Sequence, residues 1–160
     1  MDLGELFGLP AHPLVVHAAV VLVPLAAIAT VVCAALPSAR RHYAPLALGL
    51  ALVATLAVGL AQTSGEELEE RVDETELVEA HTGKGERVLP WAIGVSVAAA
   101  AVTAIPLMSR RRPRLAGRTV TAAVVVISLL AGVGATWMVI DVGHSGAEAT
   151  WSDVGREDGG

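Results

Sequence analysis

The chain has 160 residues, of which 54% are hydrophobic and only 17% are charged, and its mean hydropathy is +0.61. A soluble domain of this length needs a polar surface that this composition does not supply, so a soluble globular fold is excluded. The formal net charge of −5 is clustered, with long uncharged stretches between the clusters, which is typical of an integral membrane protein. The single cysteine, Cys33, excludes an intrachain disulfide.

Four apolar segments follow one another along the chain, and each is long enough to cross about 30 Å of hydrocarbon as a helix. They cover residues 13–36, 43–63, 88–108 and 119–140, and none of them contains Asp, Glu, Lys or Arg. Helices satisfy their own backbone polar groups in lipid. We therefore predict an all-α fold, an integral membrane four-helix bundle in which short connections after the first and third spans create two antiparallel hairpins.

Arginines mark one end of the predicted bundle, because they follow the first span and surround the connection between the third and fourth spans. All acidic residues lie near the N-terminus, between the second and third spans, or after the fourth span. The positive-inside rule then predicts a multi-pass plasma-membrane protein with both termini extracytoplasmic. The predicted regions are an external segment 1–12, a four-span domain 13–144 with an external loop 64–87, and an external tail 145–160.

Four of the five histidines lie at the predicted outer end of the bundle, namely His12, His17, His81 and His144. Imidazole is the usual protein ligand of haem iron, copper and zinc, and polar groups near a membrane are often functional. We predict a cofactor site formed by His17, His81 and His144, with His12 as a further candidate metal ligand. The alternative is that these histidines are interfacial anchors or helix caps, and His12, which precedes Pro13, fits a cap.

Two further polar residues lie at the same predicted end. Asp141 precedes His144 by about one helical turn, and Gln62 lies near the end of the second span. Carboxylates and other polar groups commonly orient the imidazoles that bind a metal. We therefore predict that Asp141 and Gln62 orient the ligands of the cofactor site.

The histidines also carry a resemblance to a known family. The sequence resembles the domain-of-unknown-function family 2231 of bacterial four-helix membrane proteins over nearly its whole length, from Gly8 to Trp151. The segments that carry this resemblance are "HPLVVH" at 12–17, "SG" at 64–65, "EAHTGKGE" at 79–86 and "GHSGAEATW" at 143–151.

The resemblance implies a four-helix membrane domain without an established activity. Relatives that are joined to Rieske or cytochrome modules imply electron transfer and a b-type haem. The positions that transfer to this chain are His17, His81 and His144, together with His12.

Two hypotheses about function follow. The first is a redox-type membrane domain that binds haem b, or a copper or zinc ion, through histidines at the outer end. The second is a non-catalytic membrane subunit or scaffold that docks a partner through the acidic external loop. In both cases the expected partners are the lipid bilayer and a redox or membrane protein. We expect an electron-transfer or structural protein rather than an enzyme.

Other functions are disfavoured by where the charges lie. A transporter or channel usually has ionisable groups near the middle of its spans, and the middle of every span here lacks them. No nucleic-acid-binding signature is present. The arginine cluster at 110–118 is explained by membrane topology and by attraction to anionic lipids.

Overall fold

The fold comes from a computed structural model that describes residues 5–6, 9–73, 75–111 and 117–152. Parts of three predicted regions lie outside these residues. They belong to the external segment 1–12, to the connection between the third and fourth spans (112–116) and to the external tail (153–160). The described chain is helical apart from short connections and two short antiparallel strands, β1 (Glu5–Leu6) and β2 (Leu9–Pro10).

Five helices make up most of the described chain. They are α1 (Ala11–Ala35), α2 (Pro37–Glu69), α3 (Glu76–Gly85), α4 (Val88–Arg111) and α5 (Arg118–Trp151). Four helical stretches are long and apolar enough to cross a membrane, and each corresponds to one of the helices α1, α2, α4 and α5. This confirms the predicted all-α fold with four membrane-spanning helices.

The turn between α1 and α2 is much tighter than the sequence suggested, because only Leu36 separates the two helices. Pro37 begins α2, where its missing N–H leaves no hydrogen bond unmade. The buried guanidinium of Arg40 closes the turn: its Nε donates to the Cys33 carbonyl at 3.0 Å, and its Nη2 donates to the Ala34 carbonyl. The final carbonyls of α1 are therefore satisfied by a side chain of α2.

The opposite end of the bundle is more helical than predicted. Both α2 and α5 continue through polar residues beyond the predicted spans, and α3 lies within the predicted loop 64–87. Glu and Ala in these segments favour helix, although they lower the hydropathy on which the span boundaries were based. We call this end, which carries His12, Ser64, His81 and Ser145, the histidine end, and we call the end that carries Arg40 the arginine end.

The interior of the bundle is made mainly of small side chains, while large apolar side chains point outward. Helix α1 packs against α2 and α5, and α4 packs against the same two helices. Fully buried positions include Val23, Ala26, Ala54, Ala99 and Ala135. Exposed positions include Ile28, Leu46, Leu56, Leu130, Val133 and Trp137. This arrangement suits a protein whose outer surface contacts lipid and whose helices approach closely through small residues.

Gly132 lies where α5 approaches α1 closely. A Cβ atom added at Gly132 would lie 3.2 Å from the Cβ of Ala27 and 3.8 Å from its Cα, whereas a Cβ added at Gly49 would have no neighbour within 4 Å. The missing side chain at Gly132 therefore lets the two helices pack together. Gly49 has no such role.

We expect Gly132→Val to lower the free energy of unfolding by about 1–3 kcal/mol, because the larger side chain forces α1 and α5 apart. Gly49→Val is the matched control and should change stability by less than about 0.5 kcal/mol, since valine and glycine differ little in helix propensity. Thermal unfolding in detergent, followed by circular dichroism, measures both. Equal stability of the two variants would contradict this description of the α1–α5 interface.

Candidate functional site

His12 lies in the first turn of α1, and its ring docks onto α2. The Nδ1 atom is 3.0 Å from the Ala61 carbonyl oxygen and 3.4 Å from the Oγ of Ser64. Because a carbonyl oxygen only accepts, this contact requires a hydrogen on Nδ1. A Cβ added at Gly65 would lie 3.0 Å from Cε1 of the ring. The imidazole therefore lies against bare helix backbone at a step formed by Ser64 and Gly65.

His81 makes the same kind of contact from α3 to α5. Its Nδ1 atom is 3.1 Å from the Oγ of Ser145. A Cβ added at Gly146 would lie 2.8 Å from Cε1 of the ring. His81 thus docks at a second serine–glycine step, in the same manner as His12 docks at the first.

The two steps belong to a repeated sequence, "ATLAVGLAQTSGEE" at 54–67 and "ATWMVIDVGHSGAE" at 135–148. Both copies fit the pattern A-T-x2-V-x5-S-G-x-E, and the shared alanine, valine and serine are buried in both. This repeat was not predicted from the sequence, and neither were the two serines and two glycines of the steps. A comparison of the second span with the fourth would have found it.

The two imidazoles meet at the histidine end. Their ring centroids are 6.5 Å apart, and their planes cross at 86°. Both residues are half-buried. Each ring is docked at an equivalent step of an equivalent helix, and both steps lie at the same end of the bundle. His12 with Ser64 and Gly65 in the first half of the chain thus corresponds to His81 with Ser145 and Gly146 in the second half.

Two polar contacts fix α3, which carries His81, against the bundle. Lys84 Nζ forms an ion pair with Asp141 Oδ1 on α5 at 2.9 Å, and Gln62 Nε2 on α2 donates to the Gly85 carbonyl at 2.9 Å. Asp141 and Gln62 were predicted to orient ligands directly. In the structure both side chains contact α3, the helix that carries His81.

The other predicted ligands lie elsewhere. His17 is exposed, and its Nδ1 bonds to the Pro13 carbonyl of its own helix. His144 has a side chain that is 75% exposed, and its Nε2 lies 3.3 Å from Glu148 on the same helix. Among the described residues, the only histidine rings in mutual contact are those of His12 and His81. No group of three or more His, Cys, Asp or Glu placed to hold a metal ion occurs in this part of the chain.

The comparisons with known proteins agree with the fold. A family model described as "Predicted membrane protein (DUF2231)" matches residues 8–158, a region that includes both histidines and both serine–glycine steps. No curated protein and no solved structure matches the chain.

We expect Gly146→Val to displace the His81 ring from Ser145, because the new side chain occupies the space of Cε1. Release of the ring should loosen α3, so amide hydrogen exchange across residues 76–85 should become at least about tenfold faster. Gly143→Val is the matched control on α5, since a Cβ at Gly143 has no neighbour within 4 Å. Unchanged exchange in Gly146→Val would contradict the docked geometry.

Proposed function

The chain belongs to the DUF2231 family of predicted membrane proteins, and from this premise we propose that it is a redox-type membrane domain that binds one haem b between His12 and His81. The observation that carries the proposal is a pair of imidazoles whose ring centroids are 6.5 Å apart, each docked at its own serine–glycine step. Each ring forms its hydrogen bonds with a neighbouring helix and not with the other ring. Both rings are therefore available to one shared ligand.

The hydrogen bonds of the two rings support this role. A histidine that binds a metal generally donates its other ring N–H to a carbonyl, a carboxylate or water, which fixes the tautomer. His12 Nδ1 meets the Ala61 carbonyl, and His81 Nδ1 meets Ser145. Among the described residues, no hydrogen bond involves Nε2 of either ring. Nε2 is therefore the nitrogen available to a metal in both histidines.

The two rings are close enough for both to bind one shared group, because their centroids are 6.5 Å apart. A structural zinc ion needs four ligands. A haem iron has four porphyrin nitrogens already and needs only the two imidazoles that this site offers.

Haem b would supply one-electron chemistry at this site. The two histidines would hold it, and the serine–glycine steps orient the two imidazoles. Lys84, Asp141 and Gln62 keep α3 in place. Because Arg40 and Arg41 lie at the opposite end, the positive-inside rule favours a plasma-membrane protein with the histidine end and both termini extracytoplasmic. The proposed redox partner would then dock from the outer side.

The scaffold hypothesis is the second candidate, and it is favoured by the exposed acidic surface near the same end. Exposed carboxylates lie on the last turns of α2, on α3 and between these helices, at Glu66, Glu70, Asp73, Glu76 and Glu79. Such a surface complements a basic partner. A docking role of this kind requires no cofactor, so it predicts a colourless protein.

We expect the full-length protein, purified in detergent from haem-sufficient cells, to show a Soret band and, on reduction, sharp α and β bands. His12→Ala and His81→Ala should each abolish these bands, because each would remove one of the two imidazoles that hold the haem. Visible spectra and extracted haem per protein measure the effect.

The matched controls are His17→Ala, His144→Ala and His42→Ala, which should keep the haem content of the parent protein. Loss of haem in His17→Ala or His144→Ala, with full retention in His12→Ala, would move the site to the histidines first predicted. A colourless parent protein without bound iron would favour the scaffold function instead.

A further inference from the structure

We infer that Ser64 and Ser145 are positioning residues, which hold the imidazoles of His12 and His81 in the Nδ1–H tautomer and leave Nε2 of both rings as the electron-pair donor. The assignment of the tautomers stands on the contacts of the chain itself. Its consequence for haem rests on the proposed function.

The hydroxyl groups are oriented by their own helices. Ser64 Oγ donates to the Ala61 carbonyl at 3.2 Å, and Ser145 Oγ donates to the Val142 carbonyl at 3.0 Å. A hydroxyl has one hydrogen and two lone pairs, so each serine, having committed its hydrogen, faces the neighbouring imidazole as an acceptor. The atom that approaches it is Nδ1 in both cases, at 3.4 Å for His12 and 3.1 Å for His81.

The Nδ1–H of His12 thus meets two acceptors, the Ser64 hydroxyl oxygen and the Ala61 carbonyl oxygen, and the Nδ1–H of His81 meets the Ser145 hydroxyl oxygen. An unprotonated Nδ1 would place its lone pair against these oxygens, which is unfavourable. Both serines are only 5% exposed, so water does not replace them readily. A hydrogen bond donated by one ring nitrogen increases the basicity of the other, which strengthens Nε2 as a metal ligand.

The hydrogen bonds that the two serines accept from the imidazoles should differ in strength. Ser145 is 3.1 Å from its imidazole, within normal hydrogen-bond range, whereas Ser64 is 3.4 Å from its imidazole and the Ala61 carbonyl at 3.0 Å is the closer acceptor. We therefore expect Ser145→Ala to have a larger effect on His81 than Ser64→Ala has on His12.

The first test needs no haem. Nitrogen-15 NMR of the imidazoles in full-length, haem-free protein distinguishes the two tautomers, and His12→Ala and His81→Ala identify the signals. We expect a single Nδ1–H tautomer for both rings in the parent protein, and an Nε2–H tautomer for His81 in Ser145→Ala. Thr63→Ala and Thr150→Ala are the matched controls, because these exposed hydroxyls also bond to a carbonyl of their own helix without contacting an imidazole.

The second test measures haem affinity. Ser145→Ala should bind haem about 10- to 100-fold more weakly, as is typical when a group that orients a metal ligand is lost. Unchanged affinity and unchanged tautomers in Ser64→Ala and Ser145→Ala would overturn the role of the serines while leaving haem binding intact. Absence of haem from the parent protein would overturn the proposed function, and the tautomers would still decide the role of the serines.

Discussion

The geometry of the histidine end depends on the missing side chains at Gly65 and Gly146. An imidazole lies this close to the backbone of a neighbouring helix only where no Cβ occupies the space, and a Cβ at Gly65 or Gly146 would lie 3.0 Å or 2.8 Å from the ring. Because the rings of His12 and His81 lie this close to the backbone, each finds its hydrogen-bond acceptors on the neighbouring helix. The distance between the two imidazoles follows from these two contacts.

The two imidazoles are held in position by different structural elements. His12 lies in the first turn of α1, so the long helix that follows it fixes its position. His81 lies in α3, a separate helix of 10 residues that a turn divides from α4. A helix this short has little stability of its own. The ion pair between Lys84 and Asp141 and the hydrogen bond from Gln62 supply the tertiary contacts that α3 requires.

Hydropathy predicted the all-α class and the four spans, because lipid demands long apolar helices. Hydropathy could not predict that α2 and α5 continue through polar residues, because the helix propensity of those residues determines where the two helices end. The position of His17 inside the first span favoured it as a ligand, whereas the position of His12 directly before Pro13 indicated a helix cap. The side of a helix on which a residue lies depends on tertiary packing, and the pairing of His12 with His81 depends on the serine–glycine repeat.

The position of the imidazole pair also constrains what it can do. Helix α5 has 34 residues and is about 51 Å long, well beyond the roughly 30 Å of a hydrocarbon core. Ser145 lies about 12 Å further along α5 than the exposed Trp137, a residue type that concentrates at membrane interfaces. The site is therefore close to water at one face of the membrane. Between this site and the arginine end, the bundle interior is packed mainly with alanine and valine. A redox centre at the histidine end would consequently exchange electrons with partners on that face, and the bundle beneath it would anchor and orient the site.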